Sequence, residues 1–193
     1  EIFGLVGPDG AGKTTTLRML AGVMPPDSGS ATVADFDVVR DPEGAKLHLS
    51  YMPQRFGLYE DLTVDENIRF YADLFGVDRA ERAARSSELL AAAGMSEFRK
   101  RLAGKLSGGQ KQRTALARAI AIDPRILILD DALSAVDTYT EEEILSRLRG
   151  VMRERTSIIV SHRISTVREA DQIFVLDRGR IAERGTHDEL IRH

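Results

Sequence analysis

The sequence predicts an α/β fold, a mostly parallel sheet flanked by helices with an inserted helical lobe. Three observations lead there. Short apolar runs rich in β-branched residues recur between helical stretches along most of the chain. The first run, Ile2–Val6, ends in a glycine-rich turn that opens directly into good helix formers. Between residues 57 and 106 the strand-like runs stop, and only amphipathic helical patterns remain. Strands alternating with helices imply crossover connections, hence a parallel sheet covered on both faces.

Taken in order, residues 14–20 complete half of a βαβ unit with the first strand. Residues 28–41 are β-branched and broken by Gly29, Asp35 and Asp37, which predicts a hairpin, and residues 48–53 predict another short strand. Residues 64–75 and 79–93, the latter closed by Gly94, set charges on one side and Leu or Ala on the other, as lobe helices do. A helix follows Gly109 to about residue 122, where Asp123-Pro124 stops it. Residues 126–129 then form an apolar run fit for a buried parallel strand. A helix over 141–155, a strand over 157–160, a helix near 164–170 and a strand pair around 173–176 and 180–183 complete the chain. The expected organisation is one domain over 1–193, with a core of 1–54 and 107–193 and a lobe of 55–106.

Composition narrows the function classes. With 27 basic and 30 acidic side chains mixed along the chain and a net charge of −3, there is no basic stripe to neutralise phosphate backbones, so no nucleic-acid partner is expected. The absence of cysteine excludes disulfides, thiolate metal sites and cysteine nucleophiles. Apolar runs such as 126–129 fall far short of the ~20 residues that cross a bilayer, and no signal peptide opens the sequence, so membrane contact is expected through a partner.

Gly7-Pro8-Asp9-Gly10-Ala11-Gly12-Lys13-Thr14 fits the phosphate-binding pattern G-x-x-x-x-G-K-[ST], between an apolar strand and a helix where the mechanism needs it. The glycines let backbone N–H groups converge on phosphates, and the helix start adds the positive end of its dipole. Lys13 supplies a compact charge to the β- and γ-phosphates, the Thr14 hydroxyl is a Mg²⁺ ligand, and Thr15 completes the nucleotide contacts. The fold is therefore expected to be a P-loop NTPase of the RecA-like kind. Asp130 stands at the C-terminal end of a buried strand, where open parallel sheets place ligand-binding groups; it is expected to hold Mg²⁺ through water, the plainer alternative being a cap on the next turn. Leu106-Ser107-Gly108-Gly109-Gln110 precedes a helix, so Ser107 and the glycine amides form either a second anion-ready helix start or a simple Ser-Gly-Gly cap.

With these motifs together, the sequence resembles the ABC (ATP-binding cassette) ATPase family over essentially its whole length. The resemblance implies ATP and Mg²⁺ as cofactors, and a head-to-tail dimer with a second ABC ATPase domain in which Ser107, Gly108, Gly109 and Gln110 of one subunit face the phosphate loop of the other. It further implies that Gln54 links γ-phosphate and metal to the lobe, that Ser134-Ala135-Val136-Asp137 crosses the dimer interface, and that His162 contacts the γ-phosphate and the attacking water. Plainer readings exist for each: a surface glutamine, a turn-forming aspartate and a structural histidine. A transmembrane domain would dock on residues 55–75, setting the chain at the cytoplasmic face of a membrane as the ATPase of an exporter. Soluble ABC proteins of DNA repair or translation are the rival class, but they carry coiled-coil inserts, tandem cassettes or basic patches that do not appear here.

Three features depart from the family pattern. Asp131 stands where most active members have a glutamate that orients or deprotonates water; a carboxylate set back by about 1.5 Å can cost on the order of 100-fold in rate. The site is then either an Mg-ATP clamp that hydrolyses slowly, like one half of a heterodimeric exporter, or one whose loop adjusts so that Asp131 serves as base. Family members also carry an antiparallel strand pair and an adenine-stacking aromatic roughly two dozen residues upstream of the loop. Only residues 1–6 precede it here, so this β element is expected to be truncated and the chain to be cut from a longer one, the alternative being that another group holds adenine. Finally, residues 4–77, with Gly57-Leu58-Tyr59-Glu60-Asp61-Leu62-Thr63-Val64, resemble separate ATPase subunits of bacterial drug and polysaccharide exporters, whereas residues 126–193 resemble exporters whose ATPase is fused to the membrane domain. Drift, a chimera and a designed sequence remain open explanations.

Overall fold

The computed structural model describes residues 1–55 and 57–192, with the backbone alone at position 164. Phe56, inside the expected lobe, and His193 lie outside the described residues. The described chain packs as two compact units: residues 1–51, 124–131 and 151–193 form the first, residues 52–123 and 132–150 the second.

In chain order the elements are β1 (Ile2–Val6), α1 (Lys13–Leu20), β2 (Thr32–Val33), β3 (Phe36–Asp37), α2 (Pro42–Lys46), β4 (Leu49–Met52), α3 (Val64–Leu74), α4 (Arg79–Ala92), α5 (Gly108–Ala121), β5 (Ile126–Asp130), α6 (Thr138–Arg153), β6 (Thr156–Val160), α7 (Ile164–Val167), β7 (Gln172–Asp177), β8 (Arg180–Gly185) and α8 (His187–Leu190). A six-stranded sheet runs β4-β5-β6-β1-β7-β8. The pairs β5–β6, β6–β1 and β1–β7 are parallel, and β8 returns antiparallel to β7. The mostly parallel P-loop NTPase sheet is therefore as the sequence predicts.

Strand alternation decides which residues face which layer. Leu5 joins Leu17 of α1, Ile128, Val160 and Leu176 in one buried cluster. Its neighbour Gly4 points the other way, where a Cβ would sit 3.2 Å from Val167 of α7, so glycine lets that short helix approach closely. Ile128 and Asp130 share a face by the same alternation, which sets the Asp130 carboxylate over α1.

Local chemistry explains where elements differ from expectation. The helix expected over 141–155 spans Thr138–Arg153: the Asp137 carboxylate accepts from the Thr140 amide at 2.9 Å and starts it early. Its end is set by Arg155, whose Nε donates to the Val151 carbonyl at 2.7 Å. α7 stops at Val167 rather than near 170, because Asp171 is tied to Ile2 twice, accepting its amide at 2.7 Å and donating to its carbonyl at 2.8 Å, which commits the chain to β7. α2 and α8 were not expected. Asp41 caps the first ahead of Pro42, and Thr186 with Glu189 forms a capping box on the second.

In the second unit α3, α4 and α5 pack on one another around Ile68, Leu90, Met95, Leu116 and Ile120. Asn67, fully buried, donates to the carbonyls of Tyr59, Leu62 and Thr63 and accepts the Tyr59 amide, which fixes the connection into α3. Arg118 of α5 stacks 4.0 Å from the Tyr71 ring centre and donates to the Gly57 carbonyl; burial pulls its pKa below the usual arginine value. Among the described residues no helix is long and apolar enough to cross a membrane.

Candidate functional site

The first unit gathers most of the predicted nucleotide residues at the C-terminal ends of β1 and β5. β1 hands over to a loop in which Gly7, Gly10 and Gly12 take φ of 146°, 78° and 101°, open to glycine and costly for other residues. At Gly7 a side chain would also collide with the Leu176 carbonyl oxygen of β7. The loop is closed by the Ala11 amide on the Pro8 carbonyl and pinned from outside by the Gly179 amide on the Ala11 carbonyl. That second contact comes from the tight turn between β7 and β8, where Arg178 and Gly179 both have positive φ.

Lys13 opens α1 with its side chain folded across the loop, Nζ donating to the carbonyls of Gly7 at 2.8 Å and Pro8 at 3.0 Å. No acidic residue occupies the first turn of α1 itself, so the positive end of its dipole and the lysine charge both face the loop. Thr14 Oγ1 donates to Asp130 Oδ1 at 3.2 Å, and Asp130 is only 2% exposed. Among the described residues no group of three carboxylate, histidine or cysteine ligands is assembled. One buried carboxylate and one hydroxyl, both hard oxygen donors beside a phosphate-type loop, fit Mg²⁺, which keeps waters and takes phosphate oxygens rather than an all-protein cage.

Asp131 follows with φ of 52°, its amide donating to the Val160 carbonyl at 3.0 Å. Aspartate is among the few residues that enter this left-handed region at modest cost. His162, just past β6, brings Nε2 to 3.8 Å from Asp9 Oδ1 at the tip of the loop, so Asp9, Asp130, Asp131, Lys13 and His162 all border one corner of the sheet.

The second unit holds the other motifs. Ser107 caps α5: its hydroxyl accepts the Gln110 amide at 3.3 Å while its own amide donates to Gln110 Oε1 at 3.0 Å. Gln112, 2% exposed, donates to the Ser134 hydroxyl at 3.1 Å and accepts the Ala135 amide at 2.8 Å. A side chain at Gly109 would approach the Ala135 carbonyl to 3.1 Å. The 107–110 helix start and the 134–137 loop are thus brought together, and Gln54 stands exposed just past β4.

A family model described as "ABC transporter" matches residues 1–134. This chain belongs to the ABC transporter family. It is 43% identical over 187 residues to the probable multidrug ABC transporter ATP-binding protein YbhF of Escherichia coli K12, covering 95% of this chain and 32% of that protein. It is 38% identical over 200 residues to the methionine import ATP-binding protein MetN of Corynebacterium diphtheriae, covering all of this chain and 59% of the relative. The cassette thus spans about a third of the one relative and three-fifths of the other. Among solved structures, a bacterial Atm1-family ABC exporter with ATP bound superimposes with a TM-score of 0.86 at 37% identity over 99% of this chain and 35% of the exporter. The ATP-binding cassette MJ0796, as a post-hydrolysis dimer bound to ADP and Pi, superimposes at 0.88 with 27% identity over 97% of this chain and 85% of that one.

Sequence reasoning missed Tyr51 and Gln112. Tyr51 donates to Asp130 Oδ2 at 3.2 Å; burial first, then the Asp130 charge, raises its pKa. Its signal was strand alternation in this cassette, which gives Tyr51 the same face as Leu49. Gln112 read as a polar helix position, and nothing in the spacing distinguishes a buried clamp from a solvated glutamine.

Proposed function

We propose that this chain is the ATP-binding and ATP-hydrolysing unit of an ABC membrane transporter, working by ATP-driven head-to-tail dimerisation with a second cassette. The observation that carries this reading is the Thr14–Asp130 pair standing beside a glycine loop whose lysine is folded into it. Lys13, the 7–12 amides and Thr15 bind the phosphates; Thr14 and Asp130, with Gln54, hold Mg²⁺, which neutralises charge on the transferred phosphoryl group. Asp131 and His162 orient the attacking water, in an arrangement that works mainly by positioning and charge. Ser107, Gly108, Gly109, Gln110 and Asp137 act on the nucleotide held by the partner cassette. That division is supported by the second unit, where Ser107 already caps its own helix and leaves backbone amides as the anion-binding groups.

Residues 1–193 act as one cassette on the cytoplasmic face of a membrane, with a transmembrane domain docking on residues 55–75. Export is the direction we infer, favoured by the multidrug name of the YbhF relative and by the Atm1-family exporter. The methionine import name of MetN favours the opposite direction. Asp131 favours a second reading of the chemistry, an ATP-gated clamp that hydrolyses poorly. ATP turnover measured against protein concentration, for the chain as given and for Asp131→Glu with Lys13→Ala as blank, tests both. A more than linear rise in the unaltered chain supports a hydrolysing dimer. Turnover that waits for glutamate supports the clamp, and silence in both variants overturns the ATPase reading.

A further inference from the structure

Tyr51 belongs to none of the sequence motifs, yet it is built into the candidate Mg²⁺ site. Strand alternation puts Leu49 and Tyr51 on the face of β4 that packs on the cluster holding Leu17 and Ile128. Asp130, two residues on from Ile128, shares that face. Its carboxylate is therefore gripped at both ends, Oδ1 by the Thr14 hydroxyl and Oδ2 by the Tyr51 hydroxyl, each at 3.2 Å. The Asp130 carboxylate accepts from both hydroxyls, and one of them, Thr14, sits on α1, the helix that also carries Lys13. A carboxylate 2% exposed and held at both oxygens has no freedom to turn.

We propose that Tyr51 is a positioning residue for the metal-binding carboxylate, fixing Oδ2 of Asp130 so that Oδ1 stays beside Thr14 and ready for Mg²⁺. The proposal rests on the nucleotide-site reading above. Groups that orient a ligand in this way are worth roughly 10- to 100-fold in metal affinity.

The test is binding of the non-hydrolysable ATP analogue adenylyl imidodiphosphate to the full chain as free Mg²⁺ is raised from zero, which needs no turnover. Tyr51→Phe keeps the ring and removes the hydroxyl. The expected result is a Mg²⁺ midpoint raised on the order of ten-fold, with affinity in EDTA unchanged. In an Asp130→Asn background the same change should add nothing, because the carboxylate that the hydroxyl positions is already lost. A midpoint within about two-fold of the unaltered chain, an equal loss in EDTA, or full additivity with Asp130→Asn overturns the proposal. Should Tyr51→Phe fail to fold, Tyr51→Met, a flexible apolar side chain without a hydroxyl, carries the test, a raised midpoint supporting the proposal and no shift overturning it. An unaltered chain whose analogue binding ignores Mg²⁺ overturns the nucleotide-site reading itself, a result distinct from a normal Mg²⁺ response that survives the loss of the hydroxyl.

Discussion

The phosphate loop of the first unit and the Ser-Gly-Gly helix start of the second are both glycine-rich openings of helices, yet their side chains are used differently. In the first, Lys13 and Thr14 are aimed back over the loop and at Asp130, so a cation and two oxygen donors converge on one corner. In the second, Ser107 and Gln110 satisfy one another in a capping box, and Gln112 holds the Ser134 hydroxyl and the Ala135 amide. In the assembly proposed above, one opening supplies side-chain chemistry to its own nucleotide and the other supplies backbone amides to the nucleotide of the partner cassette.

Substitutions can break or sharpen this contrast. Lys13→Ala should have the largest effect, lowering ATP turnover on the order of 10²- to 10³-fold, and the loss of its bonds to the Gly7 and Pro8 carbonyls should cost about 1–2 kcal/mol of stability. Next comes the pair of glycines. Gly7→Ala meets the Leu176 carbonyl at a φ reserved for glycine and should lose about 3 kcal/mol in urea unfolding. Gly109→Ala sits inside a helix, where the better propensity of alanine offsets a 3.1 Å approach to Ala135, and should cost no more than about 1 kcal/mol. Equal losses at the two positions would erase the distinction between a strained loop and a regular helix start.

Gln112→Ala leaves the Ala135 amide without its buried acceptor and should cost about 1–2 kcal/mol, with hydrogen exchange rising at 134–136. The smallest effect is electrostatic. The Thr63 amide, and then its hydroxyl, hold the Glu66 carboxyl below the usual carboxylate range. A depressed folded-state pKa adds stability that is present above that range and lost as pH falls through it. Melting curves between about pH 6 and 3 should therefore show a shallower acid loss in Glu66→Gln than in the unaltered chain.

How much the sequence disclosed depended on length and on motif. The strand, loop and helix order around Gly7 to Thr14 was readable because three independent signals coincide there, and β5 was readable because four apolar residues end at an acid. α2 and α8, at five and four residues, are too short for any hydrophobic stripe, and only their caps at Asp41 and Thr186 betray them. Asp130 and Lys13 were singled out by motif and strand position, and His162 by the family resemblance together with its place after a core strand. Tyr51 was not, since a tyrosine in a short strand acquires meaning only when pairing order puts β4 beside β5 and so next to Asp130.

In the proposed two-chain assembly the two helix openings serve different nucleotides. Mixing two disabled chains tests it most directly: Lys13→Ala, which spoils the phosphate loop, and Gly108→Asp, which sets a negative charge at the start of α5. Each alone should be silent. If each site is made from the loop of one chain and the helix start of the other, a mixture holds one intact site in its mixed dimers and should regain roughly a quarter of the unaltered turnover. A mixture that stays as silent as its components, while the unaltered chain or its Asp131→Glu form turns over ATP, would contradict the claim.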